Sequence, residues 1–166
     1  MIEERYELAL DRIRLMQTED TVGEPYRDYF KKMAEFVLML DELRTELLDG
    51  RYQKLELDEL RKWNRRLYQD VLPGQYEKSY ANPDYACKML GKESGQILGM
   101  LYAELRGAVV YVFEGKTEYL AILYELLIEV YNQFEEEPDP KAVRDTFYWY
   151  ASDYCDVFLA DRIREQ

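Results

Sequence analysis

A chain of 166 residues with a formal net charge of −12 is long enough to fold as one domain without a metal or disulfide, burying about 70% of its unfolded surface. It contains 16 tyrosines and no histidine, which excludes a Ser-His-Asp or Cys-His pair, an imidazole base near neutral pH, and the usual catalytic zinc site. Lys and Arg alternate with Asp and Glu instead of clustering, so the charge pattern argues against nucleic acid as a partner.

Met1 to Tyr6 carries charge and no apolar run, so no signal peptide is read and a cytoplasmic chain is expected. Ile2, Tyr6, Ala9, Ile13 and Met16 form a first stripe at helical spacing. Tyr26, Phe30, Met33, Val37, Leu40 and Leu47 form a second, longer one. Leu60, Trp63, Leu67 and Val71 make a third, ending before Pro73-Gly74. A short helix from Pro83 to Leu90 stops at Gly91. Glu24-Pro25, Asn82-Pro83 and Asp139-Pro140 each place a polar or acidic residue ahead of proline. Proline suits a first helical turn, and Asn or Asp caps the amides there.

Glu93 to Phe113 reads as one helix carrying Gly95, Gly99, Ala103 and Gly107 at four-residue spacing. Such a stripe admits a close neighbour, expected here to be the helix Thr117–Glu136. Gln96 to Phe113 is apolar enough to raise a membrane span. Glu104 and Arg106 in its middle, roughly 200° apart around the helix, favour a buried core helix and no membrane. On the helix Thr117–Glu136, Glu118, Glu125, Glu129, Asn132 and Glu136 fall within about 60° of one another. Nearly everything else on it is apolar, so this helix is expected in the middle of the bundle. A last helix from Pro140 carries Val143, Phe147, Tyr150, Tyr154 and Phe158 on one face. It meets no stop by Gln166, as at a fraying natural carboxy-terminus or in a segment of a longer protein. The expectation is an all-α fold: a single multi-helix bundle of about six or seven helices over residues 1–166.

Candidate chemistry is sparse. Cys87 and Cys155 stand alone, without CxxC spacing, and read as reduced, packed thiols. Glu104, Glu114, Glu118, Glu125 and Glu129 could suggest a two-metal site, but that pattern also needs Glu-x-x-His from two helices, so no metal or cofactor is expected. Gly91 to Gly95 lacks the strand and spacing of a phosphate loop. Glu104 and Arg106 in apolar surroundings must be paired, which makes Glu104, Arg106, Tyr111 and Asp153 a candidate buried polar pocket, with Asp153 or Asp156 facing Arg106. Tyr148 and Trp149 are a candidate interaction surface.

Several strings are more specific. They are Glu24-Pro25-Tyr26-Arg27-Asp28-Tyr29-Phe30, Leu67 to Pro73 followed by Tyr76 to Pro83, Leu101 to Arg106, and Tyr148 to Tyr154. Together, from about Arg5 to Ile163, they resemble the amino-terminal region of clostridial leucyl aminopeptidase-like proteins of the thermophilic-type metallo-aminopeptidase group. The resemblance implies a parent that removes amino-terminal residues from peptides with a pair of divalent metals. It also implies that the metal ligands lie in a downstream catalytic domain, so no catalytic position carries over and this chain is not itself an enzyme. The expected role is a non-catalytic amino-terminal accessory or interaction domain, with the downstream catalytic domain or a second copy as partner. The alternative is a self-contained helical bundle binding a small ligand or peptide between its helices.

Overall fold

Helical periodicity becomes helix throughout the computed structural model, which describes residues 1–49, 57–68, 79–80, 82–135, 139, 141–142 and 145. Seven helices and no strand form among these residues: α1 (Ile2–Met16), α2 (Tyr26–Leu48), α3 (Leu57–Leu67), α4 (Pro83–Leu90), α5 (Lys92–Gly107), α6 (Val109–Glu114) and α7 (Thr117–Glu135). The all-α bundle is therefore established, with six rods if α5 and α6 are taken as one bent segment. Of the expected helix from Pro140 only residues 141–142 and 145 are described, and these are helical; Cys155 lies outside the described residues, as does Val71 of the third stripe.

Local chemistry sets the boundaries. Asn82 accepts from the Asp84 amide at 3.0 Å and Pro83 fills the first turn of α4, as its sequence requires. Asp139 makes the equivalent bond to the Lys141 amide at 3.1 Å. At Glu24-Pro25 the start slips by one residue: Pro25 is the N-cap, and Arg27 is the first amide to bond back, to the Gly23 carbonyl at 3.1 Å. α6 closes with a Schellman arrangement, in which Lys116 N–H reaches the Tyr111 carbonyl at 2.9 Å and Gly115 N–H the Val112 carbonyl at 3.2 Å. This cap needs a left-handed residue, and Gly115 supplies it at φ 70°.

The centre of the bundle is made by α1, α2 and α7. Arg5 pairs with Glu125 (Nη2 to Oε2, 2.7 Å) and Arg12 with Glu135 (3.1 Å), so residue numbers climb together and α1 runs parallel to α7. Glu3 with Arg44 and Tyr6 with Asp41 climb in opposite senses, which makes α2 antiparallel to α1. Phe30 against Tyr131 at one end and Arg44 against Thr117 at the other make it antiparallel to α7 as well. α2 touches α1, α3, α5, α6 and α7. On α7, eleven of 19 residues are buried, and Glu118 and Asn132 stay exposed on the narrow polar strip read from the sequence.

Two expectations are corrected. The segment Glu93–Phe113 is not one straight core helix. It breaks at Ala108, whose amide is shared between the Glu104 and Leu105 carbonyls while Tyr111 N–H bonds the Ala108 carbonyl three residues back. Gly107 followed by the β-branched pair Val109-Val110 weakens α-helical continuity there. The segment Lys92–Glu114 is also less buried than a core helix, with 39% of its most apolar stretch inside the fold. Leu98, Leu101 and Leu105 face inward while Met100, Ala103, Glu104 and Gly107 face out. By length and composition alone it is the one helix among the described residues that could span a membrane.

The small-residue stripe also meets a different neighbour. A Cβ at Gly95 would lie 2.4 Å from Cys87 Cα and 2.7 Å from the Ala86 carbonyl carbon, so the close approach is to α4 rather than α7. Gly99 has ordinary room beside Ala86, and Gly107 has nothing within 4 Å. Gly95→Ala is therefore expected to destabilise by about 2 kcal/mol or more, because backbone must move. Gly107→Ala should stabilise by about 0.5–1 kcal/mol. Urea unfolding of both variants against the parent chain measures the opposite signs.

Burial of tyrosine generates a second expectation. Desolvation pushes the hydroxyl pKa values of Tyr6, Tyr29, Tyr124 and Tyr131 above the ordinary value, the nearby carboxylate of Asp41 adding to the effect at Tyr6. The unfolded chain gives up these protons at about pH 10, while the folded chain holds them. Stability from this source is complete below pH 10 and falls as pH rises above it. Denaturant midpoints between pH 8 and 11 should decline only in the upper part of the range. A subset of tyrosines should ionise, by absorbance at 295 nm, only as the chain unfolds.

Candidate functional site

The second apolar stripe skips a beat. Between Leu40 and Leu47 the position that should be apolar is occupied by Arg44, and α2 carries that guanidinium into the core interface with its side chain only 10% exposed. A charge this far from water must be neutralised and hydrogen-bonded. Nη2 donates to both Glu3 oxygens, at 3.0 and 2.8 Å, and to the Thr117 hydroxyl at 3.4 Å. The guanidinium also lies over the ring of Tyr6, 4.2 Å from its centroid. Among the described residues Nε and Nη1 make no hydrogen bond.

Tyr6 links this cation to a second polar centre. Its hydroxyl donates to Asp41 Oδ1 at 2.8 Å, and Arg14 approaches Asp41 Oδ2 at 3.6 Å from the other side. Tyr124 of α7 packs on Tyr6 with ring centroids 5.7 Å apart. The seam Glu3–Arg44–Tyr6–Asp41–Arg14 thus fixes α1 on α2 beneath α7. Burial raises the hydroxyl pKa values of both Tyr6 and Tyr124.

Beside Arg44 the surface opens into a cleft of about 630 Å³ between the carboxyl end of α2, the amino end of α1 and the α6–α7 turn. Leu47, Leu48, Val112, Phe113 and Leu120 line it, with Glu3, Arg44, Thr117, Tyr111 and Glu114 as its polar groups. Leu48 and Phe113 are exposed, at 69% and 39%. The Schellman cap at Gly115 turns the chain so that α7 begins at the cleft.

Of the pocket expected around Glu104, Arg106, Tyr111 and Asp153, the first three are described. Glu104 is exposed, because the outward face of α5 carries it together with Met100 and Ala103. Arg106 is half-buried, its guanidinium over Tyr68 at 4.9 Å and Tyr102 at 5.9 Å. Tyr111 is half-buried, edge-on to Tyr119 at 5.2 Å, and belongs to the cleft. Asp153, Asp156, Tyr148 and Trp149 lie outside the described residues. No group of three or more metal-ligating side chains occurs among the described residues, and Cys87 is free and half-buried. Arg44, Glu3, Tyr6, Asp41 and Thr117 were missed, although the charge sitting on the buried stripe of α2 was a readable signal for the first of them.

Comparison with protein-family models, curated proteins and solved structures returns no match for the chain.

The seam makes a mutational expectation. Tyr6→Phe removes a hydrogen bond to a largely buried carboxylate and should cost about 1.5–3 kcal/mol. Glu3→Gln, at a side chain 65% exposed, should cost less than about 1 kcal/mol. Chemical denaturation of both variants measures the contrast.

Proposed function

We propose that this chain is a non-catalytic accessory domain that works by binding, within a larger aminopeptidase-like protein. The observation that carries the binding role is the cleft at one end of the bundle, with apolar walls, an apolar rim at Leu48 and Phe113, and a charged floor at Arg44. A concavity of this size with a few convergent polar groups is the usual form of a binding site. Val110, also exposed at 51%, follows on α6 and extends the apolar surface available to a protein partner. The non-catalytic part of the reading rests on the absence of histidine from the sequence. The aminopeptidase context rests on the resemblance of Glu24 to Phe30 and the related strings.

The partner in this reading is the catalytic region of the same protein, docked on the cleft rim. Isothermal titration of the chain against the catalytic region of a clostridial leucyl aminopeptidase-like protein should show association. Leu48→Asp with Phe113→Asp should weaken it at least about tenfold, since both place a charge in an apolar contact. The chain alone should hydrolyse a leucine anilide at background rate with cobalt, zinc or manganese. Association unchanged by the double substitution, or activity in the isolated chain, overturns the reading.

A further inference from the structure

Accepting the cleft as the binding site, the geometry points to a specific ligand class: a singly charged carboxylate joined to an apolar body, with the carboxylate seated on Arg44. Glu3 is the first reason. It already places a carboxylate against Nη2 at 2.8 Å, which shows what the guanidinium accepts, yet its own side chain is 65% exposed and anchored in the first turn of α1. Arg44 is buried but its acidic partner is not, so a second carboxylate reaching the guanidinium from the cleft can take the place of Glu3 without leaving the cation unpaired.

The second reason is donor supply. A guanidinium presents five N–H donors in a planar fork matched to a carboxylate. Within the described residues only Nη2 is used, leaving Nε and Nη1 on a side chain that is nine-tenths buried and lines the cleft. Stacking on Tyr6 holds the plane of the fork, so little rotamer freedom remains to be lost on binding. The Thr117 hydroxyl, at the first residue of the 19-residue helix α7, adds a polar group where the helix dipole favours an anion.

The third reason is the shape of the rest. Leu47, Val112, Phe113 and Leu120 suit an apolar body, while Glu114 on the same lining repels a second negative group. About 630 Å³ lies within the range of small-molecule pockets. A net charge of −12 opposes a polyanion and leaves a single negative head as the tolerated case.

Octanoate tests the assignment, with octan-1-ol and octylamine as the matched neutral and cationic probes, each titrated calorimetrically into the full chain. Octanoate should bind at least about tenfold more tightly than either, the worth of a charge-assisted hydrogen-bond pair. Glu3→Gln removes the negative charge that competes for the guanidinium and should tighten octanoate by about threefold or more relative to octanol. Arg44→Gln should abolish the preference for octanoate over octanol. Equal binding of octanoate and octanol would leave the cleft a binding site but overturn the carboxylate assignment. So would an octanoate affinity indifferent to Glu3→Gln, or no octanoate binding at all. Docking of the catalytic region is read separately by the Leu48 and Phe113 substitutions, so the two readings fail independently.

Discussion

A guanidinium removed from water has to be answered by its neighbours, and the arrangement of this bundle follows from how Arg44 is answered. Its partners come from two helices, Glu3 and Tyr6 from α1 and Thr117 from α7, and tie both to α2. Satisfying one cation therefore specifies the register of α1 against α2 and the end of the bundle at which α7 begins. Leucine packing alone tolerates sliding by a turn, whereas a cation stacked on one ring and bonded to one carboxylate does not. The same arrangement leaves unused donors beside an apolar cleft, so the device that orders the helices also gives the bundle a polar end.

The rest of the central layer is aromatic. Phe30 meets Tyr131 and Phe134 edge-on, at 5.1 and 5.4 Å, and Tyr26 meets Phe134 at 4.8 Å, closing the end opposite Arg44. Tyr131 finds Thr21 and Glu19 for its hydroxyl, at 3.1 and 3.0 Å, tying the α1–α2 connection to α7. The abundance of tyrosine thus has a packing explanation at these positions: a large ring inside and a hydroxyl led out to a polar group at the margin.

Much of this was legible along the chain because it depends on periodicity. The stripes of α1 and α2, the narrow acidic strip of α7, the Asn82 cap and the stop at Gly91 all follow from which face of a helix meets water. What failed depended on partners distant in sequence. Spacing places Gly95 and Gly107 on one stripe, but only the fold brings Ala86 and Cys87 against the first and leaves the second open. Glu104 and Arg106 drew notice as charges within an apolar run, yet α5 lies at the edge of the bundle and turns Glu104 outward. Arg44 escaped notice for the converse reason, standing in a strongly amphipathic helix where one more charge looked ordinary. The candidate interaction residues Tyr148 and Trp149 remain sequence expectations.

The parallel pairing of α1 with α7 carries a consequence for how the chain is made. Arg5 and Glu125 lie 120 residues apart, as do Arg12 and Asn132. At synthesis rates of about 5–20 residues per second, α1 is polymerised roughly 6–24 s before its α7 partners. During that interval the first helix can pair only with α2, through Glu3, Tyr6 and Asp41, with one apolar flank still uncovered. Pairing of α1 with α2 is therefore available to the growing chain well before pairing of α1 with α7.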